Sequence, residues 1–393
     1  MKKVLFYCHV YYPENSGYAN AFQNTVNTLL DSDHDLQITV ITPYQLDNNE
    51  EIKRNRLKII RLHPKISIKK IRYFINEFFY AKEVSKEFKS GKYDLLLVET
   101  FDQPIFLASL DNDIYIKTAV RVHSTSETEY TFFSKELKFR IRKFILKHKV
   151  IKNIKWILST NSYHIDFVKK HYFSNNEIAI GDVSFFLLPN NVNLSENAKF
   201  DVGDKIKTFV LGRMNYLGNN QKGFTDLIYS IKSLNQKILE RYEITIVGQG
   251  NMKPYLTSLC TELTNITFID SLPHKEIIKS LEESDLIILP SRYEGLSMFA
   301  LEGLATGNAC IFSKTGGLMD MIHTNGIFFE PQNIESLSNA LIEFSNKSKE
   351  EISNMKKASL DICKKKYSKD AIQKKFHLIY EIIANKKNHK HDI

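Results

Sequence analysis

Short apolar runs alternate along this chain with stretches in which apolar positions recur every three or four residues. The runs suit strands buried on both faces, and the longer stretches suit helices that lay one face on a sheet. In the first half the runs are Val4 to Cys8, Gln37 to Thr42, Lys58 to Arg61, Tyr93 to Glu99, Thr118 to Val122 and Trp156 to Thr160. In the second they are Thr208 to Leu211, Glu243 to Val247, Ile266 to Ile269, Asp285 to Pro290, Ala309 to Phe312 and Ile327 to Phe329. Two such series predict an α/β protein with two doubly wound sheets, divided into residues 1–190 and 191–370. The Asn- and Asp-rich stretch Pro189 to Lys205 between them reads as a hinge.

The segment from Ser284 to His323 carries the densest chemical signal. It sets the run Asp285 to Pro290 before a loop holding Glu294 and Gly295. A short helix holding Glu302 follows, then a stop at Gly307, the run Ala309 to Phe312 and a Gly316-Gly317 turn. Two carboxylates eight residues apart thus flank a strand-to-helix turn, where open α/β sheets hold their ligands. Ser297 is a capping residue, so the backbone N–H groups of Met298 and Phe299 are expected to offer partial positive charge to a diphosphate. Glu302 rises ~7 Å past that cap at ~1.5 Å per residue. One carboxylate suits sugar hydroxyls and the other a ribose. Two glutamates at this spacing are most often solvated surface charges. The buried run before them, the glycines at 295, 303 and 307 and the Gly-Gly turn after them favour a site.

A second element lies at residues 207 to 213, where KTFVLGR ends a strand in Gly212-Arg213. After a lengthened loop, Tyr216 to Asn220, the run Gln221-Lys222-Gly223-Phe224 opens an amphipathic helix with apolar positions at 224, 227, 228, 231 and 234. Arg213 offers a planar fork and Lys222 a point charge, a pair suited to a leaving diphosphate.

These residues together resemble retaining glycosyltransferase family 4, among the group 1 glycosyl transferases. The run Glu294-Gly295-Leu296-Ser297-Met298 through Glu302 is similar to the E-x7-E signature, with Ser297 where the family often has Gly. Gly316-Gly317-Leu318-Met319-Asp320 resembles its GG-x-x-E turn, with Asp320 where Glu is usual. Arg213 and Lys222 resemble its G-R…K-G diphosphate site, and Pro189-Asn190-Asn191-Val192-Asn193 its P-N-G-V-D linker. Gly17 stands for one of a Gly-Gly pair after the opening strand, and His123 resembles the family's His after the strand Ala119 to Val122.

The resemblance implies the GT-B architecture, two Rossmann-like domains facing across a cleft, with a C-terminal helix and basic tail (371–393) returning to the first. It implies Gly17, Gly212, Arg213, Lys222, Gly295, Leu296, Ser297, Met298 and Glu302 as donor-binding residues. Glu294, Arg213, Lys222 and His123 become the catalytic set, with the nucleotide sugar as co-substrate and no metal or other cofactor.

Composition frames these motifs. A length of 393 residues, 43% apolar and 25% charged, suits a globular protein with two cores. Cys8, Cys260, Cys310 and Cys363 form no C-x-x-C pair and read as reduced thiols of a cytoplasmic protein. No run approaches the ~20 apolar residues of a membrane span. The opening MKKVLFYCHVYYPENSG is broken by Cys8, His9, Pro13 and Glu14, so it reads as a first strand rather than a secretion signal. Asp111-Asn112-Asp113 has the form of a metal-binding D-x-D but precedes its strand, and reads as a turn.

The net charge of +9 is uneven: +7 over residues 1–190, −5 over 191–355 and +7 over 356–393. Lys135 to Lys155 holds nine Lys and Arg against Glu136 alone, interleaved with Leu137, Phe139, Ile141, Phe144, Ile145, Ile151 and Ile154. That stretch suits an anionic bilayer surface and, equally, a core-packing helix with a solvated basic face. Nucleic acid is disfavoured, because no nucleic-acid fold or aromatic platform accompanies the charge.

The expectation is a retaining, metal-independent transferase moving a hexosyl group from a nucleotide diphosphate sugar, a UDP-sugar first, to a glycan or lipid-linked acceptor. Bacterial-type surface polysaccharide synthesis is the expected setting, in the cytoplasm and peripherally at the inner membrane face. A sugar-nucleotide epimerase of similar fold is the alternative, and would turn over donor alone. A non-catalytic partner subunit is disfavoured by the joint presence of Arg213, Lys222 and Glu294. A glycosidase is disfavoured because no second acid is placed across a scissile bond.

Overall fold

In the computed structural model the described residues are 1–11, 17–43, 55–66, 72–124, 137–173 and 183–385. Pro13 to Ser16, Thr125 to Glu136 and the end of the basic tail lie outside them. The chain divides into two compact units, Met1–Asn191 with Lys369–Ile393, and Val192–Ser368.

The first unit is built on a seven-stranded sheet in the order β3-β2-β1-β4-β5-β6-β7. Its strands are β1 (Lys2–Tyr7), β2 (Leu36–Pro43), β3 (Leu57–Leu62), β4 (Leu95–Val98), β5 (Thr118–Val122), β6 (Trp156–Ser159) and β7 (Ser184–Leu187), all paired in parallel. Side chains of a strand alternate between faces, so an unbroken apolar run feeds two cores at once. Leu5, Tyr7, Leu96, Val98 and Val120 join one core, with Tyr80, Ala81 and Val84 of the helix Arg72–Gly91. Val4, Phe6, Leu95, Leu97 and Ala119 join the other, with Phe22, Val26 and Leu29 of the helix Gly17–Ser32. The C-terminal helix, Lys369–Ala384, packs into this second core through Ile372, Phe376, Ile379 and Ile383. Its Tyr380 hydroxyl donates to Asp94 at 2.8 Å.

The second unit carries six parallel strands in the order β10-β9-β8-β11-β12-β13. They are β8 (Ile206–Leu211), β9 (Tyr242–Val247), β10 (Ile266–Ile269), β11 (Leu286–Leu289), β12 (Ala309–Ser313) and β13 (Gly326–Phe329). The same alternation sends Ile288 and Ile311 to one core and Ile287, Leu289 and Phe312 to the other.

Every predicted run forms a strand, but β7 was not anticipated. It is an edge strand whose Leu187 stays exposed, so its sequence, SFFL, never reads as a fully buried run. The division between the two units falls at Asn191–Val192, inside the stretch read as a hinge. Asn190 and Asn191 are buried, Asn190 accepting from Arg121 at 3.0 Å and Asn191 donating to Thr28 at 2.9 Å. The polar residues there satisfy buried groups rather than meet solvent.

In the second unit, Lys356 is 2% exposed and donates to Asp285 at 2.7 Å and to the Ser284 carbonyl at 3.1 Å. Asp285 also accepts from the Lys207 backbone N–H at 3.0 Å, so this pair pins a helix to the entry of β8 and β11. Lys356→Met is expected to lower stability by about 3 to 5 kcal/mol, because it strands a buried carboxylate. Urea unfolding followed by circular dichroism checks this, and a change below about 1 kcal/mol would contradict it.

Candidate functional site

Strand order reverses between β1 and β4 in the first sheet and between β8 and β11 in the second, and turns leaving adjacent strands in opposite directions open a crevice there. In the second unit these are the turns after Leu211 and Leu289. Gly212 follows β8, and a Cβ on it would lie 3.1 Å from Lys222 Cγ, so its absence lets the lysine stem lie against the strand end.

The expected loop from Tyr216 to Asn220 is instead part of a helix, Tyr216–Lys222. Asn215 caps it by accepting from the Gly218 N–H at 2.6 Å. Gly218 sits on the Arg213 carbonyl, where a Cβ would fall 2.2 Å from the oxygen. Lys222 is the last residue, and Gly223, in the left-handed region at φ +67°, turns the chain into the helix Phe224–Lys232. Phe224, Leu227, Ile228 and Ile231 then face the core at the predicted spacing. The structure thus sets Lys222 at the end of a helix rather than after a loop.

Lys222 Nζ donates to Glu294 Oε2 at 2.5 Å, and Ser291 Oγ donates to the same oxygen at 3.2 Å. The Lys222 and Glu294 side chains are 21% and 10% exposed, so each is partly desolvated and still within reach of a ligand. Glu294 is seated from below by the Gly-Gly turn. A Cβ on Gly316 (φ +49°) would come 1.7 Å from the Glu294 carbonyl oxygen, and the Gly317 N–H donates to the Gly295 carbonyl at 2.9 Å.

Ser297 caps the helix Met298–Ala305 by accepting from the Ala300 N–H at 3.3 Å, with Leu296 and Phe299 buried. Glu302 Oε1 lies 2.9 Å from His274 Nε2, and this contact raises the His274 pKa above its usual value. Arg213 is exposed at the end of β8.

Several residues at this crevice were not singled out from the sequence, and the first of them carry no local signal there. Arg292 forks onto Asp226, and His274 meets Glu302. Gly248 and Gly250 also matter, since their Cβ atoms would fall 2.0 Å from the Gly212 carbonyl oxygen and 2.1 Å from the Asn215 nitrogen. Their signal was available in the run Val247-Gly248-Gln249-Gly250 after β9.

In the first unit the reversal gathers Tyr18, Glu99 and Asp102, with His123 following β5. Arg121, fully buried in β5, contacts both Glu99 carboxylate oxygens at 3.3 and 3.2 Å and donates to the Leu188 carbonyl at 2.9 Å. His123 Nε2 lies 2.5 Å from Glu99 Oε2. Burial alone would raise the Glu99 pKa, but Arg121 and His123 outweigh it and hold the carboxyl below its usual range. Burial and the Arg121 charge hold His123 below its usual value, against the pull of Glu99. The imidazole is therefore neutral near pH 7, with Nε2–H donating to Glu99 and Nδ1 left as an acceptor.

The Tyr18 hydroxyl donates to the Glu99 carbonyl, and its ring meets His123 edge-on at 4.9 Å. A cavity of about 360 Å³ borders His9, Tyr18, Glu77, Asp102, His123 and Arg142. Gly17 is exposed, and a Cβ there would meet nothing within 4 Å. Asp111 is held by Lys82 and Lys89, each at 2.8 Å, on the surface of the first unit.

Residues 195–360 match the family model of glycosyl transferases group 1. The chain is 32% identical over 154 residues to an uncharacterized glycosyltransferase of Methanocaldococcus jannaschii, spanning 37% of each chain. It is 24% identical to a second uncharacterized glycosyltransferase of that organism, over 86% of this chain and 87% of the relative. The matches name one class of enzyme, the glycosyltransferases. Among solved structures, a sucrose-phosphate synthase from Thermosynechococcus elongatus superposes with a TM-score of 0.75 at 16% identity, covering 98% of this chain and 100% of that one. A trehalose-6-phosphate protein of E. coli, solved bound with UDP-2-fluoro glucose, gives 0.72 at 11% identity over 98% and 99%. With the two parallel sheets, these likenesses make the fold GT-B.

Glu77 gives a pH test of the first-unit cavity. It is 3% exposed, accepts from the Phe106 N–H and from Arg142 at 3.3 Å each, and burial pushes its pKa up to about 7 against both. A pKa raised from 4.5 means that its full contribution to stability is present below pH 4.5 and is lost as pH rises through about 7. Glu77→Gln is expected to flatten that fall, by up to about 3 kcal/mol. Stability curves at pH 5 and pH 8 read it out, and an unchanged slope in the variant would contradict the assignment.

Proposed function

We propose that this chain is a retaining, metal-independent glycosyltransferase of family 4 that moves a hexosyl group from a nucleotide diphosphate sugar, a UDP-sugar first, to a glycan or lipid-linked acceptor. The observation that carries the reading is the ammonium of Lys222 set 2.5 Å from the Glu294 carboxylate, at the strand reversal of the matched segment. An ammonium has three donors and a carboxylate several acceptor sites, so each keeps capacity for a ligand while holding the other.

In this reading the acceptor hydroxyl attacks the anomeric carbon on the face from which the nucleotide leaves. The carbon–oxygen bond to the diphosphate breaks as the new glycosidic bond forms, and a donor phosphate oxygen takes the hydroxyl proton. Arg213, Lys222 and the N–H groups after Ser297 stabilise the charge that gathers on the departing diphosphate, which leaves no step needing a metal. Glu294 accepts from hydroxyls of the transferred sugar and Glu302 from the ribose. His123, neutral and oriented by Glu99, keeps Nδ1 to accept from a sugar hydroxyl.

Arg213→Ala and Glu294→Gln are each expected to lower kcat/KM by a factor of several hundred, corresponding to about 3 to 4 kcal/mol of lost transition-state stabilisation. Unfolding temperature should be unchanged and a strong chelator without effect. Radiolabel transfer from a panel of nucleotide sugars provides the assay. Near-wild-type turnover in the Arg213 variant would sink the diphosphate assignment, and product from donor alone would favour epimerisation.

We also propose that the enzyme works at the cytoplasmic face of an anionic membrane, in surface polysaccharide synthesis. Among the described residues no helix is long and apolar enough to cross a membrane. Supporting the surface reading, Phe144 is 61% exposed beside Lys143, and Lys149, Lys152 and Lys155 are exposed along the following turns. The protein is expected to co-sediment with phosphatidylglycerol vesicles at low salt and to leave them as the Debye length falls from ~10 Å at 0.1 M toward ~3 Å at 1 M. Lys143→Glu with Lys149→Glu and Lys152→Glu should abolish sedimentation while sparing transfer to a soluble acceptor. Absence of sedimentation by the unmodified protein at low salt would remove the membrane from the proposal.

A further inference from the structure

Arg292 lies on the loop between Ser291 and Glu294, where a free guanidinium would make a further contact to a diphosphate. Each of its three side-chain nitrogens already donates one hydrogen bond. Nε and Nη2 fork onto Asp226 at 3.0 and 2.9 Å, and Nη1 donates to Asn220 Oδ1 at 2.8 Å. Its backbone N–H donates to the Gln221 carbonyl at 2.8 Å, and its carbonyl accepts from Thr315 Oγ1 at 3.3 Å. Asn220 and Gln221 belong to the helix that ends in Lys222, and Asp226 to the first turn of the next. One residue thus ties the loop of Glu294 to both helices that flank Lys222.

The fork is mostly desolvated, with side-chain exposures of 22% and 14% for Arg292 and Asp226. A planar, bidentate arginine–carboxylate pair fixes direction as well as distance, which a lysine or a neutral amide cannot reproduce. Lys222 needs that constraint, because its ammonium hangs on a flexible four-carbon stem beyond a helix of seven residues.

We propose that the Arg292–Asp226 fork is a positioning pair. It makes no contact with the donor, and it strengthens diphosphate binding only by holding Lys222 against Glu294. The inference rests on the reading of Lys222 as a diphosphate contact.

The test is calorimetric titration of the full chain with UDP, repeated with GDP and ADP so that the tightest of the three is used. Asp226→Asn, nearly isosteric, and Arg292→Lys, which keeps the charge but not the fork, should each weaken binding about tenfold. Lys222→Met should weaken it by at least as much. In the Lys222→Met background Asp226→Asn should then change affinity by less than about twofold, because its route of action is gone. A merely structural role would lower the unfolding temperature in both backgrounds and give no such dependence on Lys222. Losses that multiply in the double variant would overturn the proposal, as would unchanged affinity in both fork variants when Lys222→Met alone weakens binding. Unchanged affinity in Lys222→Met would instead remove the diphosphate reading, and the proposal with it.

Discussion

The carbonyl oxygens of Pro290 and Glu294 leave no room for a Cβ on the residues packed against them. Gly223 would place one 2.1 Å from the first and Gly316 one 1.7 Å from the second. Backbone this close to backbone brings three turns to one point: the turn after Lys222, the loop of Glu294 and the Gly316-Gly317 turn. A side chain at either glycine would push one of them away by more than a hydrogen bond tolerates. The demand at Gly223 and Gly316 is therefore steric as well as conformational, since both also hold left-handed φ values. The 2.5 Å contact between Lys222 and Glu294 depends on this packing, because it fixes the Cα positions from which both side chains reach.

The two crevices use buried charge in different ways. Arg121 and Glu99 are wholly removed from solvent, and the guanidinium is engaged by Glu99, the Leu188 carbonyl and Asn190. Breaking such a pair leaves an uncompensated charge in a poor dielectric, so it behaves as part of the fold. Its chemical consequence falls on His123, whose proton is placed on the nitrogen facing Glu99. Lys222 and Glu294 are less buried and less saturated, so their partners can be exchanged at smaller cost.

The fold was legible wherever burial was two-sided. Runs such as LLLV in β4 and LIIL in β11 have no polar alternation to confuse, and among the described strands only β7, one of four edge strands, was left unaccounted for. The helix Tyr216–Lys222 was hidden by its composition, YLGNNQK, in which glycine and asparagines argue for a loop. Its one local cue was Asn215 as a cap. The Glu294 and Glu302 positions could be read because strand, cap and glycines surround them in sequence. Asp226 and Arg292 could not, being 66 residues apart and joined only by the sheet that sets β8 beside β11.

The basic stretch after Leu137 shows why an amphipathic pattern can support two readings at once. Leu146, Val150, Ile151 and Ile154 are buried in the first unit's core, whereas Ile141 and Phe144 remain exposed. A single regular helix would place Phe144 and Ile151 on nearly the same face. The chain avoids this by a wide turn over Leu146–Val150, where the Ile151 N–H reaches back five residues to the Leu146 carbonyl at 3.0 Å. One extra residue in a turn rotates the C-terminal side of a helix by about 100° relative to its N-terminal side. Arg142 is meanwhile drawn inward to Glu77 at 3.3 Å. The core-packing reading therefore holds for the second part of the stretch. Only the part before the wide turn keeps apolar side chains for an outside surface, and it does so beside exposed Arg140 and Lys143.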